Sequence, residues 1–225
     1  MKSVALGAVA SALIACGSAI AAPVTAGGFT FDTADFADVV VDSNFGSPAP
    51  TDGRFVDDDE VLGAPDFSNS TFEGAYTLGS GGDVTVRFTD NALTGSDSDA
   101  ADLFIFEIGP DVEDTFVEIS VDGIDFIKVG KVTGATSTVD IDPFLEAEGI
   151  DPFTKFFFVK LIDDPNEGEE VRGGRLSETV GADIDAIGAL TSVPVDPVPV
   201  PGAAILFASA LAAGGLRKRL IGKRG

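Results

Sequence analysis

The sequence predicts an all-β domain of two packed antiparallel sheets, and three observations carry the prediction. Apolar residues fall in short runs separated by Gly, Asp, Asn and Pro, which is the punctuation of strands and turns. One of these runs alternates apolar and polar residues and leads straight into a turn sequence. Two others are continuously apolar but only four residues long, too short for a buried helix and right for central strands.

In chain order, residues 1–21 open with Lys2, continue as a mostly apolar run and close on Ala19-Ile20-Ala21, a small-x-small site suited to signal peptidase. Within that run Leu13-Ile14-Ala15-Cys16 also reads as a lipobox, so lipidation of Cys16 stands beside ordinary cleavage before Ala22. The body, residues 22–192, offers strands at 38–42, 75–78, 83–89, 103–108, 115–121, 126–132, 138–141, 155–162 and 183–190. The alternating strand places Val117, Ile119 and Val121 on one side and Glu118 and Ser120 on the other. Asp122-Gly123 follows, where Asp caps a turn and Gly takes a positive φ. The continuous runs are Leu103 to Phe106 and Phe156 to Val159, expected to be covered on both faces. A single helical turn is expected at 143–148, ended by Gly149.

Beyond the body, residues 193–202 hold four prolines and form a stiff extended spacer. Residues 203–225 are a small-residue apolar helix with a basic end. Its 14-residue run spans about 21 Å, short of the ~30 Å hydrocarbon core of a bilayer. Arg217, Lys218 and Arg219 would hold the end of that C-terminal hydrophobic helix on the cytoplasmic side, making it a passing transmembrane helix rather than a lasting anchor.

Composition excludes several chemistries. The chain has 37 acidic and 14 basic residues; 36 of the acids but 8 of the bases fall in 22–192, giving the body a formal charge of −28. Such a field repels nucleic acid and anionic membrane surfaces. It suits solubility in salt, where the Debye length is about 8 Å, or neutralisation by bound cations. There is no His and no Trp, and Cys16 is the only cysteine. Ser-His-Asp and Cys-His catalysis, His-bearing zinc sites and disulfides within the body are thereby ruled out.

Val198-Pro199-Val200-Pro201-Gly202-Ala203, the apolar helix and the Arg217-Lys218-Arg219 cluster together resemble the PEP-CTERM class of sorting tails, in the variant that reads Val-Pro-Leu-Pro-Ala. Val200 and Gly202 stand where that variant usually has Leu and Ala. The resemblance implies recognition by an exosortase-like processing enzyme, transient tethering to the inner membrane, and release to the cell surface or extracellular matrix. The body resembles exported bacterial proteins with a galactose-binding-like, discoidin-like jelly roll. That resemblance rests on Leu62-Gly63-Ala64-Pro65-Asp66, on 78–88, on 102–109, on 117–126 and on Gly181-Ala182-Asp183-Ile184-Asp185-Ala186-Ile187-Gly188. It implies a two-sheet antiparallel jelly-roll sandwich without implying an activity.

Closely spaced carboxylates are the candidate sites. They are the run 57–60, Asp97-x-Asp99-x-x-Asp102, the group Asp163-Asp164 with Glu167, Glu169 and Glu170, and Asp183-x-Asp185. Ca²⁺ takes six to eight oxygens, and such clusters supply several at once. In a regular strand Asp183 and Asp185 share a face about 7 Å apart. The jelly-roll resemblance implies a structural Ca²⁺ that joins an early loop to the last strand, which points to Asp59, Asp66 and Asp183. The resulting expectation is a non-enzymatic surface or matrix protein, structural or adhesive. A carbohydrate-binding module that recognises extracellular polysaccharide is the first alternative. A glycoside hydrolase using Glu107 and Glu118 as its carboxylate pair is the second.

Overall fold

A computed structural model describes residues 22–109, 113–133, 136–166, 171–172, 175–176 and 178–195. The expected signal segment with Cys16, the sorting motif at 198–203, the basic residues Arg217, Lys218 and Arg219, and Glu167, Glu169 and Glu170 lie outside the described residues.

Nine strands form two antiparallel sheets, and each of the nine overlaps one expected from the sequence. They are β1 (Val39–Asn44), β2 (Tyr76–Thr77), β3 (Asp83–Arg87), β4 (Leu103–Glu107), β5 (Asp114–Ser120), β6 (Phe126–Thr133), β7 (Thr136–Val139), β8 (Phe158–Asp163) and β9 (Asp183–Ala189). One sheet runs β1-β3-β8-β5-β6 and the other β7-β4-β9-β2. The chain changes sheet at every step except from β5 to β6, which gives the sandwich its jelly-roll weave.

Alternation along the strands builds the core. Val84 and Val86 of β3, Val117 and Ile119 of β5 and Val159 and Leu161 of β8 point inward against Leu103 and Ile105 of β4 and Ile184 and Ile187 of β9. The β5–β6 hairpin pairs Ser120 with Phe126. In its turn Gly123 has φ +77°, and Asp122 Oδ1 accepts the N–H groups of Ile124 at 2.9 Å and Asp125 at 3.0 Å. Val121 belongs to that turn and is exposed, not a third inward residue of β5.

β4 is buried on both faces, as its continuous apolar run requires. Its outer side meets a second cluster of Phe31, Phe36, Phe104, Phe106 and Ala186. Phe104 and Phe106 sit 4.2 Å apart between ring centroids, and Phe31 meets Phe36 at 5.0 Å. A short hairpin, Val24–Ala26 with Phe29–Phe31, covers this face. β8 differs from expectation. Phe156 leaves the run to bridge Leu93, the strand begins at Phe158, and the outer face of β8 is only half-buried, with Arg87 over the Phe158 ring at 5.5 Å. The one described α-helix, α1 (Asp142–Glu148), has Pro143 in its first turn and stops at Gly149, whose φ of 69° is the left-handed conformation that glycine tolerates. No helix among the described residues is long and apolar enough to cross a membrane.

Candidate functional site

The acidic residues separate into groups with different environments. At the early loop, Asp57 caps a single 3-10 turn (Asp58–Val61) by accepting the Asp59 N–H at 3.3 Å, and the Ser43 hydroxyl donates to Asp58. Asp59 is exposed. Asp185 is buried, and its Oδ1 accepts the Asp66 N–H at 2.9 Å, so the loop meets the last sandwich strand directly. Burial raises the Asp185 carboxyl to about 6; the N–H groups of Asp66 and Phe67 oppose the rise, and the charges of Asp66 and Glu60 add to it.

Asp183 does not join that group. A bulge between Ile184 and Ala186 interrupts the strict alternation of β9 at Asp185, so the two aspartates do not bracket Ile184 as a simple pair. Asp183 instead accepts the hydroxyl of Thr77 across the β2–β9 pairing, and its charge bears on Glu107. Glu107 is buried at the end of β4. Burial first, then the charge of Glu113, pushes it up to about 9, while its Oε1 accepts the Glu113 N–H at 3.2 Å.

The Asp97-x-Asp99-x-x-Asp102 spacing proves misleading. Asp97, with φ 55°, and Asp99 are exposed on their loop, whereas Asp102 at its end has no exposed surface. The partners of Asp102 come from about forty residues away. Asp102, Asp140 and Asp142 each bring one carboxylate oxygen to within 4.8 Å of the others. Two of these carboxylates are fixed by one oxygen and leave the other unused. Asp102 Oδ2 accepts the Ile141 N–H at 3.1 Å; Asp142 Oδ2 accepts the Ser96 N–H at 3.0 Å, the Ser98 N–H at 3.1 Å and the Ser96 hydroxyl at 3.2 Å. Asp102 Oδ1 and Asp142 Oδ1 are both shielded from solvent and have no hydrogen-bond partner among the described residues. Burial pushes the Asp102 carboxyl up and the Asp142 charge adds to this; the hydroxyls of Thr191 and Ser96 lower it but close no hydrogen bond on Oδ1.

Beside this group lies a cleft of about 510 Å³, lined by Asp97, Asp99, Asp140, Asp142 and Glu146 together with Pro143 and Pro152. The arrangement offers oxygen ligands, most of them carboxylates, which is chemistry suited to holding a hard cation. Sequence reasoning missed Asp140 and Asp142. The signal available was Asp140-x-Asp142-Pro143, two carboxylates at the mouth of a helix that a proline begins.

The carboxylates considered as a hydrolase pair are on different sheets. Glu107 ends β4, whereas Glu118 lies on β5, opposite Lys128 and Lys160, with Lys128 Nζ at 3.9 Å.

No known protein family matches the sequence, and no curated protein does. Among solved structures, the C-terminal domain of a chitobiase from Bacteroides fragilis aligns at 10% identity over 73% of this chain and 97% of its own, with a TM-score of 0.38. CpGH89CBM32-6, produced by Clostridium perfringens, aligns at 14% identity over 70% of this chain and 94% of its own, with a TM-score of 0.35.

Proposed function

We propose that the chain is an exported, non-enzymatic β-sandwich protein of the cell surface or extracellular matrix, with a structural or adhesive role. In this reading an exosortase-type enzyme acts on its C-terminal tail, and the protein is membrane-tethered until it does. The observation that supports a structural role is how the sandwich uses its buried acids. Asp163 accepts from Gly81 at 2.8 Å and from Ala182 at 2.9 Å, Asp185 from Asp66, Asp102 from Ile141, and Asp142 from Ser96 and Ser98. Each ties together segments at least nineteen residues apart, so the acids serve as staples between loops. Intact-mass measurement on surface and matrix fractions of the native host tests the reading. The expected mature form begins at Ala22, or at a lipidated Cys16, and lacks the basic tail. A mature protein that retains Met1 or Gly225 would refute it.

A second reading, binding of extracellular polysaccharide, is favoured by the cleft beside α1. The single tyrosine, Tyr76, is buried and offers no stacking face, so a sugar would rest on Pro143 and Pro152 and be oriented by the surrounding carboxylates. A glycan array probed with the full-length protein, with and without Ca²⁺, separates this from the purely structural reading.

A further inference from the structure

We propose that Asp102, Asp140 and Asp142 form a Ca²⁺ site that ties the loop before β4 to the base of α1. This goes beyond a structural role for the sandwich, and it lies apart from the early-loop group around Asp66 and Asp185.

The case rests on two buried oxygens that have no hydrogen-bond partner among the described residues. A buried carboxylate oxygen without a donor is costly, and here two of them, Asp102 Oδ1 and Asp142 Oδ1, belong to the same cluster. Their positions are set independently of any ion. Asp102 is held by the Ile141 N–H, and Asp142 by three donors from Ser96 and Ser98, so each carboxylate is anchored by Oδ2 and leaves Oδ1 without a hydrogen bond. Gly95 packs against the same place: a Cβ there would fall 1.9 Å from Asp142 Oδ1, so any side chain at this position would occupy the space the oxygen uses.

A shared proton is the competing account, since one proton between Asp102 and Asp142 would satisfy both oxygens. It does not involve Asp140, whose Oδ1 accepts the Asp142 N–H at 3.0 Å and which brings a third carboxylate into the group. Three ionised carboxylates so close repel one another, and a cation among them relieves that repulsion for all three at once. Oxygens bound to Ca²⁺ at about 2.3–2.6 Å lie up to about 5 Å apart across the ion, which accommodates three oxygens all within 4.8 Å. An all-oxygen set selects a hard cation, and the tolerance of Ca²⁺ for irregular geometry suits three ligands drawn from two loops. The adjoining cleft gives access from solvent and room for the water molecules that complete the coordination, and its exposed Asp97, Asp99 and Glu146 draw cations toward it.

The test is calorimetric titration of the chelator-stripped full-length protein with Ca²⁺, with Mg²⁺ and with NaCl at matched ionic strength, alongside Tb³⁺ luminescence. Asp142→Asn keeps the shape of the side chain and an oxygen for the Ser96 and Ser98 donors. Asp140→Ala removes a half-buried ligand and leaves the Ile141–Asp102 bond intact. Asp185→Asn serves as control in the other carboxylate group. The expected result is one tight Ca²⁺ per chain, weakened at least tenfold in Asp142→Asn and in Asp140→Ala and unchanged in Asp185→Asn. Circular dichroism identical to the wild type establishes that Asp140→Ala is folded. Absence of saturable Ca²⁺ binding, equal response to NaCl, or full affinity in both cluster variants would overturn the proposal.

Discussion

Replacing Gly82 with Ala probes the point where three segments of backbone meet at one edge of the sandwich. A Cβ at this position would lie 1.9 Å from Leu78 O, 2.5 Å from Gly46 N and 2.8 Å from Asn44 O. None of these atoms can rotate away, because each belongs to the main chain. Gly46 N donates to Leu78 O at 3.0 Å, Gly82 N to Gly79 O at 2.9 Å, and Asp163 N to Gly82 O at 2.9 Å. Ordinary contact begins near 3.4 Å, so the Leu78 carbonyl must retreat by more than an ångström, and the Gly46 bond to it opens. Overpacking costs about 1–3 kcal/mol and the lost hydrogen bond about 1 kcal/mol, giving a destabilisation of about 2–4 kcal/mol. In a domain of this size that corresponds to a fall in Tm of roughly 5–15 °C. Urea unfolding followed by far-ultraviolet circular dichroism is the suitable assay, since the chain has no Trp and one Tyr. Gly53→Ala is the matched control: nothing lies within 4 Å of the added Cβ, so the variant should be as stable as wild type or gain up to about 1 kcal/mol from a stiffer unfolded chain. Equal stability of Gly82→Ala and Gly53→Ala would refute the packing described for this edge.

Two further outcomes follow from the buried acids. Asp163→Ala leaves the Gly81 and Ala182 N–H groups without their acceptor and should cost about 2–4 kcal/mol in the same urea assay; a loss below about 0.5 kcal/mol would mean that water replaces the carboxylate there. Glu107 has its pKa raised by burial and by the Glu113 charge to about 9, so the folded protein holds a proton that the unfolded chain gives up from about 4.5 upward. Its contribution to stability is therefore complete below about 4.5 and is lost as the pH rises toward about 9. Urea midpoints at pH 5, 7 and 9 should fall less steeply for Glu107→Gln than for wild type, and parallel slopes would contradict the burial of this carboxyl.

The strands were legible because their signals are local. The alternation of Val117 and Ile119, the Asp122-Gly123 turn and the Pro143 to Gly149 helical turn each depend on residues a few positions apart, and each is present. The N-terminal hairpin was not legible: its strands are three residues each, and it exists because Phe104 and Phe106 present an apolar outer face that something must cover. Sequence proximity did not show which acids meet in the fold. Asp97 and Asp99 are near Asp102 in the chain but stay on the exposed loop, while the pairing of β4 with β7 is what carries Asp140 and Asp142 to Asp102. Likewise the regular-strand spacing of Asp183 and Asp185 did not anticipate a bulge, which arises from the mismatch in register between β9 and β4.

The order of the four-stranded sheet bears on when this protein can fold. β9 occupies an interior position between β4 and β2, yet it is the last of the nine strands to be synthesised. Until it arrives, β4 and β2 have no strand between them, and the inward side chains Ile184 and Ile187 are missing from the core. A nascent chain that ends before residue 183 therefore cannot close the sandwich, whatever its first strands do. The architecture therefore delays completion of the sandwich until nearly the whole body has been made.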